Sequence, residues 1–383
     1  MRNWLLPEYV EDILPAEALH IELLRRQIMD LLLVHGYQQV IPPLLEYVES
    51  LLTGSGSDMN LKMFKVIDQL SGRMLGLRAD MTPQAARIDA HLLNSEGITR
   101  LCYANSVLHT VPSAITQTRE PLQIGAELYG HSGFESDLEI QRLMLKCLFI
   151  VGIHKIHLDI GHVAVFRGII KGAGISRELE AELFTTLQAK DISTLQELCN
   201  NLQRHIREAL MLLPELYGNK KILNTASKRL PNYPEIRAAL SELNTIGEEL
   251  ESAVSEISFD LADLRGYHYH TGIVFAAYTD GCSNAVSLGG RYDEIGKSFG
   301  RARPATGFSM DLRELSRLVK PKAYPLGIRA PFHTKNTELE VKIEQLRRAG
   351  HIVITDLPPQ NNESLDCDRQ LVLRDGQWIV EEI

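Results

Sequence analysis

Two polar side chains lie on one face of a predicted strand in the first half of the chain. Over residues 122–129, apolar residues alternate with Gln123 and Glu127, so the amide and the carboxylate project from the same face. Gly125 lies between them, and we expect its missing side chain to leave room for a ligand. An amide and an acid on the floor of a small pocket suit an amino acid, whose ammonium group needs an anionic acceptor. The alternative is an amphipathic strand whose polar face meets water.

A second polar pair precedes a predicted helix. Asp80 and Thr82 come just before a helical pattern over residues 84–91, and Pro83 fits the first turn of that helix. Both side chains are typical helix caps, so capping is the alternative to a role in binding a ligand.

A third stretch combines an arginine with aromatic rings. Arg265 lies in a predicted turn and is followed by Tyr269 and by two alternating histidines, His268 and His270. On spacing alone, an arginine in a turn is more often a surface residue than a ligand contact. Alternating histidines are usually structural or exposed to solvent.

The first stretch, within residues 101–130, resembles motif 2 of class II aminoacyl-tRNA synthetases, and most closely that of histidyl-tRNA synthetases. This resemblance implies that Gln123 and Glu127 belong to a histidine pocket, and that Asp80 and Thr82 bind the α-ammonium group. Asp80 replaces the glutamate that is usual in that family, so the charge is kept and the reach is shorter by one methylene.

Residues 259–278 resemble the ArgGlyLeuAspTyrTyrThrGly signature of the same family. The resemblance implies that Arg265 acts on the carboxylate of histidine, and that Tyr269 and Tyr292 lie near the imidazole ring. His268 replaces the acid of the signature, and His270 replaces its second tyrosine. These replacements alter the predicted contacts to the imidazole.

The positions that bind ATP in the synthetases are changed. His109 stands where the family has the arginine for the α-phosphate, and residues 110–118 contain no charged side chain. Glu314 stands where motif 3 has the arginine for the γ-phosphate, while Arg313, one residue earlier, would point about 100° away on a helix. A neutral imidazole and a carboxylate cannot replace guanidinium groups on phosphates. We therefore expect a histidine site without its ATP site.

Periodic patterns predict the elements that position these residues. A helix from Pro15 to Gly36 and a strand before Pro42 resemble motif 1, which forms the dimer interface in the family; without the family, the pattern is a helix packed on a sheet. Further predictions are a hairpin turning at Ser71 and Gly72, a helix over 134–152, a strand over 156–160, a helical insertion over about 175–257, a linker over 321–331, and a final helix, strand and hairpin.

Composition narrows the class of protein. The 383 residues carry a net charge of −9 with 44% hydrophobic residues, which is typical of a globular protein and argues weakly against a nucleic-acid partner. Five scattered cysteines without a CxxC pair argue against a zinc module and favour a reducing compartment. A metal site at His154, His157 and His162 is disfavoured by their mixed spacing. We expect a cytoplasmic protein without membrane span, metal or cofactor.

Together these features predict an α/β (α+β) fold, with a class II synthetase-like antiparallel sheet flanked by helices over residues 1–320 and a small α/β domain over 321–383. The loss of the ATP positions, together with a C-terminal domain too short to bind an anticodon, resembles the ATP phosphoribosyltransferase regulatory subunits. That resemblance implies a protein without catalysis of its own and without tRNA. It further implies a homodimeric core within a hetero-octamer, a short-form catalytic subunit as partner, and L-histidine as effector. The alternatives are an active histidyl-tRNA synthetase or other histidine-activating ligase, and a plain histidine-binding or scaffold module.

Overall fold

The computed structural model describes residues 4–52, 57–112, 118–267, 269–323, 325–333, 335–357 and 366–383, apart from the side chains of 57–59. The chain divides into two units, Met1–Lys320 and Pro321–Ile383. The first unit contains the strands β1 (Gln38–Gln39), β2 (Leu45–Tyr47), β3 (Lys65–Ile67), β4 (Met74–Leu77), β5 (Thr99–Ser106), β6 (Leu122–Tyr129), β7 (His157–His162), β8 (Tyr217–Gly218), β9 (Glu256–Asp260), β10 (Ile273–Tyr278), β11 (Ser287–Arg291) and β12 (Ala305–Asp311).

Helices surround these strands. They are α1 (Pro15–Val34), α2 (Val48–Leu52), α3 (Ser57–Lys62), α4 (Thr82–Arg87), α5 (Phe134–Ile150), α6 (Val163–Ala173), α7 (Arg177–Gln188), α8 (Ile192–Cys199), α9 (Arg204–Leu212), α10 (Lys221–Arg229), α11 (Pro234–Leu250) and α12 (Leu312–Leu318). A π-helical stretch, Ile88–Leu93, continues α4, and short 3₁₀ turns occur at Leu213–Glu215, Glu251–Ala253 and Ile295–Phe299.

A nine-stranded sheet forms the centre of the first unit, in the order β1-β5-β6-β12-β11-β10-β7-β9-β8. Its strands are antiparallel except for the parallel pairs β1/β5 and β7/β9. The predicted sheet flanked by helices is confirmed, and these two pairs make it mixed. Because β6, β12, β11 and β10 are consecutive in the sheet, residues from distant parts of the chain meet on one surface.

The strand predicted over residues 122–129 is confirmed as β6, which pairs antiparallel with β5, with Cys102 opposite Ala126. Ile124, Ala126 and Leu128 are buried in the main hydrophobic core, against which α1 and α5 pack. Burying these apolar residues fixes the register of β6, so Gln123 and Glu127 face the opposite side of the sheet.

A smaller sheet, in the order β2-β4-β3, lies in the same unit and contains the hairpin predicted at Ser71 and Gly72. Its register places Leu45 opposite Leu77, and Tyr47 opposite Leu75. Since residues directly opposite each other share a face, this sheet has one strongly apolar surface.

The second unit is a four-stranded sheet, β14-β13-β15-β16, with one helix. Its elements are β13 (Gly327–Ala330), α13 (Thr337–Arg348), β14 (Val353–Thr355), β15 (Cys367–Arg374) and β16 (Gln377–Glu382). The final helix, strand and hairpin occur as predicted. The prediction of a linker over 321–331 is wrong for its second half, because Gly327–Ala330 forms an inner strand of this sheet. Proline is excluded from the middle of a strand, and Pro331 follows the end of β13.

The expected helical insertion contains α7 to α11, whose apolar faces join the main core. No helix among the described residues is long and apolar enough to cross a bilayer.

Candidate functional site

A cavity of about 360 Å³ lies above the central strands β6, β10, β11 and β12. Its lining includes most of the residues that the sequence singles out: Asp80, Thr82, Glu127, Arg265, Tyr269, His270 and Tyr292. The sheet order explains much of this convergence, because Glu127 lies on β6, Tyr292 follows β11, and Arg265, Tyr269 and His270 precede β10 of the same sheet.

Glu127 forms part of the cavity wall and is only 1% exposed. The hydroxyl of Tyr103 donates a hydrogen bond to Oε1 over 2.9 Å, and the hydroxyl of Tyr292 donates to Oε2. Burial raises the pKa of the Glu127 carboxyl to about 8, although both tyrosines oppose this shift. The cavity therefore presents a protonated acid at neutral pH.

Aromatic rings extend from this acid. The ring of Tyr269 stacks on that of Tyr292 with 5.0 Å between centroids, and Tyr129 meets Tyr292 edge-on at 6.4 Å. The hydroxyl of Tyr269 is buried and has no hydrogen-bond partner among the described residues. A flat apolar wall next to hydroxyl and carboxyl groups suits an aromatic ring that carries polar atoms.

The polar pair before α4 lies at another part of the cavity wall. Oδ1 of Asp80 accepts hydrogen bonds from the backbone N–H and the hydroxyl of Thr82, over 3.1 and 3.2 Å, and from the Gln123 amide over 2.8 Å. Asp80 therefore bonds to the first residue of α4, but the N-cap of this helix is Met81, which makes no side-chain cap hydrogen bond, so neither Asp80 nor Thr82 occupies the cap position. These bonds all use Oδ1, so Oδ2 is left for a further donor.

Gln123 lies beneath this pair and is not part of the cavity lining. Its Oε1 accepts from the backbone N–H of Met81 over 2.9 Å, while its Nε2 holds Asp80. The amide therefore positions the acid from behind.

Arg265 reaches the cavity together with an unexpected partner, Asp263. The guanidinium donates to Asp263 from Nε, over 2.9 and 3.0 Å to its two oxygens, and from Nη2 over 2.5 Å. Its Nη1 donates to the hydroxyl of Tyr278 over 2.9 Å. The neighbouring His270 is neutral at neutral pH, because burial lowers the pKa of its imidazole to about 4. His268 lies outside the described residues.

The residues that the resemblance places at the ATP positions lie elsewhere. His109 borders a second cavity of about 430 Å³, and a 2.9 Å hydrogen bond joins its Nε2 to the carbonyl of Ala79. Burial lowers the pKa of His109, so it is neutral. Glu314 pairs with Arg317 at 2.8 Å, and Arg313 donates to the hydroxyl of Thr118 over 2.9 Å.

The second cavity offers little to a phosphate. Among the described residues that line it, Arg265 is the single cation, and Asp263 holds that cation. The cavity also contains the carboxyl of Asp311, whose pKa burial raises to about 6. Residues 113–117 of the loop predicted to lack charge lie outside the described residues.

The sequence interpretation missed three residues and misread one. Tyr103 holds Glu127, Asp263 holds Arg265, and Gly307 lies opposite Glu127, where a Cβ would overlap the carboxylate. The expected room above Gly125 does not exist, because a Cβ there would come within 2.7 Å of the Tyr103 hydroxyl and 2.6 Å of the Phe308 carbonyl. Gly125 is a packing glycine that admits the Tyr103 ring.

Among the described residues, no cluster of histidine, cysteine and acidic side chains could hold a metal. His157 instead contacts Asp159 at 3.1 Å and Ser258 at 2.7 Å, and Nδ1 of His162 accepts the N–H of Ala164 at the start of α6.

Comparisons with known proteins identify the family of this chain. The family model described as Histidyl-tRNA synthetase matches residues 9–315, and that of the ATP phosphoribosyltransferase subunit HisZ C-terminal domain matches residues 325–381. A curated relative from Nitrosomonas eutropha, named ATP phosphoribosyltransferase regulatory subunit, is 66% identical over 99% of both chains. A relative of the same name from Nitrosomonas europaea is 62% identical over 100% of both chains. The chain belongs to the family of ATP phosphoribosyltransferase regulatory subunits.

Solved structures agree with this family. The chain is similar to an ATP phosphoribosyltransferase regulatory subunit/histidyl-tRNA synthetase from Bacillus halodurans, with a TM-score of 0.83, 26% identity and 95% of each chain covered. The histidyl-tRNA synthetase from Nostoc shares the fold, with a TM-score of 0.78 and 20% identity over 100% of this chain and 97% of the other. This member of the regulatory-subunit family therefore has the synthetase fold.

Proposed function

We propose that the protein is a non-catalytic regulatory subunit that activates the short-form catalytic subunit of ATP phosphoribosyltransferase, at the first step of histidine biosynthesis, and transmits feedback inhibition by histidine. One observation carries this proposal: a cavity suited to an amino acid with a polar ring lies beside a second cavity whose single described cation is already paired. The family membership supplies the partner enzyme.

In this proposal, the imidazole of histidine lies against Tyr269 and Tyr292 and shares a hydrogen bond with Glu127. Glu127 belongs to the ring end because the hydroxyl of Tyr292 bonds to its carboxyl group. The α-ammonium group meets Oδ2 of Asp80 and the hydroxyl of Thr82, which line the same cavity. Histidine fits the size of the cavity, since ligand sites of a few hundred cubic ångströms enclose small molecules.

The proposal requires that adenylation is lost. Phosphoryl groups need bidentate or point-charge cations, and neither the neutral His109 nor Glu314 supplies one. The similarity to the histidyl-tRNA synthetase model favours one other function, an active histidine-activating ligase. Histidine-dependent exchange of pyrophosphate into ATP separates the two, because robust exchange would exclude the regulatory proposal.

A homodimeric core is part of the proposal and has support in the small sheet. The face of β2, β3 and β4 that carries Leu45, Tyr47 and Val66 leaves these side chains 43%, 37% and 45% exposed. Leu75 and Leu77 share this face by the strand register, and a guanidinium, that of Arg73, lies 3.4 Å above the Tyr47 ring. An extended apolar surface of this kind is typical of an interface between protein chains. We assign it to a second copy, within the larger assembly with the catalytic subunit.

Feedback inhibition requires only that histidine binds one state of the assembly more tightly than another. A difference of about 1–3 kcal/mol is typical of such coupling. The test is phosphoribosyl-ATP formation by a purified short-form catalytic chain, with and without this protein. Stimulation that histidine reverses supports the proposal, and no stimulation of the cognate partner refutes it.

A further inference from the structure

The carboxylate end of the amino-acid cavity lacks an uncommitted cation. Arg265 is the single cation among the described residues that line the cavity, and three of its hydrogen bonds go to Asp263. Asp263 also accepts the backbone N–H of Arg265 over 3.0 Å and has a side chain that is only 7% exposed.

A ligand carboxylate cannot take Arg265 from Asp263 without cost. Drawing the guanidinium away would leave the buried Asp263 carboxylate without its counter-ion, and an unpaired buried charge is strongly unfavourable. The exchange would replace the ion pair between Arg265 and Asp263 by one between Arg265 and the ligand carboxylate. The buried Asp263 carboxylate would then have no counter-ion. The carboxylate of a bound amino acid therefore gains little from this side of the cavity.

The net charge of the cavity lining also disfavours a ligand carboxylate. The carboxylates of Asp80 and Asp263 and the guanidinium of Arg265 leave one net negative charge on the lining. His270 adds no positive charge, and ionisation of Glu127 would only make the lining more negative. Such a lining attracts a cation more strongly than a zwitterion, because the second charge of a zwitterion is repelled.

We infer that the cavity recognises the imidazole and the ammonium group of its ligand and does not require the carboxylate, so that carboxylate-free imidazolyl amines bind it at least as tightly as histidine. This inference rests on the proposed histidine site and concerns its selectivity. Asp263 is then the specificity-determining residue, although it contacts the ligand only through Arg265.

The test compares L-histidine with L-histidinol by isothermal titration calorimetry at neutral pH. L-Histidinol keeps the ring and the ammonium group and replaces the carboxylate by a hydroxymethyl group. For the unaltered protein we expect a dissociation constant for L-histidinol equal to or below that for L-histidine. Asp263→Asn keeps an oxygen for the backbone N–H and frees the guanidinium, so it should shift the ratio about tenfold towards L-histidine. Asp260→Asn, at the end of β9 and outside the cavity lining, should leave the ratio unchanged.

Each result has a distinct meaning. If the unaltered protein binds L-histidine more tightly than L-histidinol, the inference is wrong and the histidine site stands. A ratio that Asp263→Asn does not move also contradicts the inference. Binding of neither ligand would overturn the proposed histidine site and, with it, this inference. Because the first comparison uses the unaltered protein, it does not depend on how the variants fold.

Discussion

At the scale of single residues, the site depends on an acid that is almost completely removed from water. Glu127 is protonated because burial penalises its charge, and the hydroxyls of Tyr103 and Tyr292 fix both of its oxygens. A ring nitrogen that reaches this acid gains a strong hydrogen bond, since the partner is either an acid or a carboxylate in a poorly solvated place.

Glu127→Gln should weaken histidine binding about tenfold or more while leaving the fold intact. The amide can still accept a tyrosine hydrogen bond, but it cannot share a proton with the imidazole, and bonds to charged groups contribute about 1.5–3 kcal/mol. Calorimetric titration gives the affinity. Glu249→Gln, at a half-exposed ion pair with Arg142, is the matched control and should bind histidine as the unaltered protein does. Equal affinities for both variants would place the ligand elsewhere.

The same substitution should change how the stability of the protein, measured without added histidine, depends on pH. Burial raises the pKa of Glu127 from 4.5 to about 8, so between these values the unfolded chain has lost a proton that the folded protein keeps. Its contribution to stability is therefore greatest at low pH and is lost as the pH rises towards 8, at up to about 1.4 kcal/mol per pH unit.

Urea unfolding of Glu127→Gln and the unaltered protein from pH 5 to pH 8 measures this effect. As the pH rises, the free energy of unfolding of the unaltered protein should fall relative to that of the variant. Asp137 and Asp311, whose pKa values burial also raises to about 6, are present in both proteins and cancel in the difference. Parallel stability curves would show that Glu127 is ionised in the folded protein.

At the scale of elements, the pairing of β6 with β12 shapes the ring end of the cavity. Gly307 lies directly opposite Glu127, and a Cβ at this position would overlap the carboxylate and come within 2.7 Å of the Ala126 carbonyl. Only glycine lets the acid occupy its place between the two tyrosines.

Gly307→Ala should therefore lower the melting temperature and reduce histidine affinity together, because Glu127 or the strand must move. An overpacked site of this kind costs about 1–3 kcal/mol. Gly97→Ala is the control, since a Cβ at residue 97 meets no atom within 4 Å. Differential scanning calorimetry and a histidine titration measure both effects. If Gly307→Ala behaves like Gly97→Ala in both, the description of this contact is wrong.

The periodicity of apolar residues predicted the helices and strands, but it did not predict which of them are in contact. The face of β6 and the start of α1 follow from local patterns, because burial imposes a period of two or 3.6 on the sequence. That the space above Gly125 is filled could not be predicted, since Tyr103 reaches it from the neighbouring strand. The strand β13 was missed because it is short and its partners, β14 and β15, follow later in the chain.

In the candidate site, too, the sequence predicted positions better than contacts. The family motifs located Arg265, Tyr269 and Glu127 by position, and all three line the cavity. The pairing of Arg265 with Asp263 did have a sequence signal, an acid two residues before an arginine in a turn, but only coordinates show that the acid is buried. Gln123 has the predicted orientation and acts behind Asp80.

At the scale of the whole molecule, the apolar face of the small sheet bears on assembly. A charge placed on it should weaken a homodimer, because a carboxylate buried in an apolar interface has no partner. Val66→Asp should shift the mass measured by light scattering from twice 43.0 kDa towards 43.0 kDa. Val341→Asp, at a 63% exposed position on α13, should leave the mass unchanged. A dimer that tolerates Val66→Asp would place the interface on another surface.

The most direct test of the regulatory role combines the partner enzyme with a variant of the cavity. Phosphoribosyl-ATP formation by the short-form catalytic chain is measured alone, with this protein, and with Glu127→Gln, each across a histidine titration. We predict that both forms of this protein stimulate the reaction, and that inhibition of the Glu127→Gln complex needs about ten times more histidine. Failure of the unaltered protein to stimulate its cognate catalytic chain would contradict the central claim. Stimulation with identical histidine inhibition of both complexes would leave activation standing and refute the assignment of feedback to this cavity.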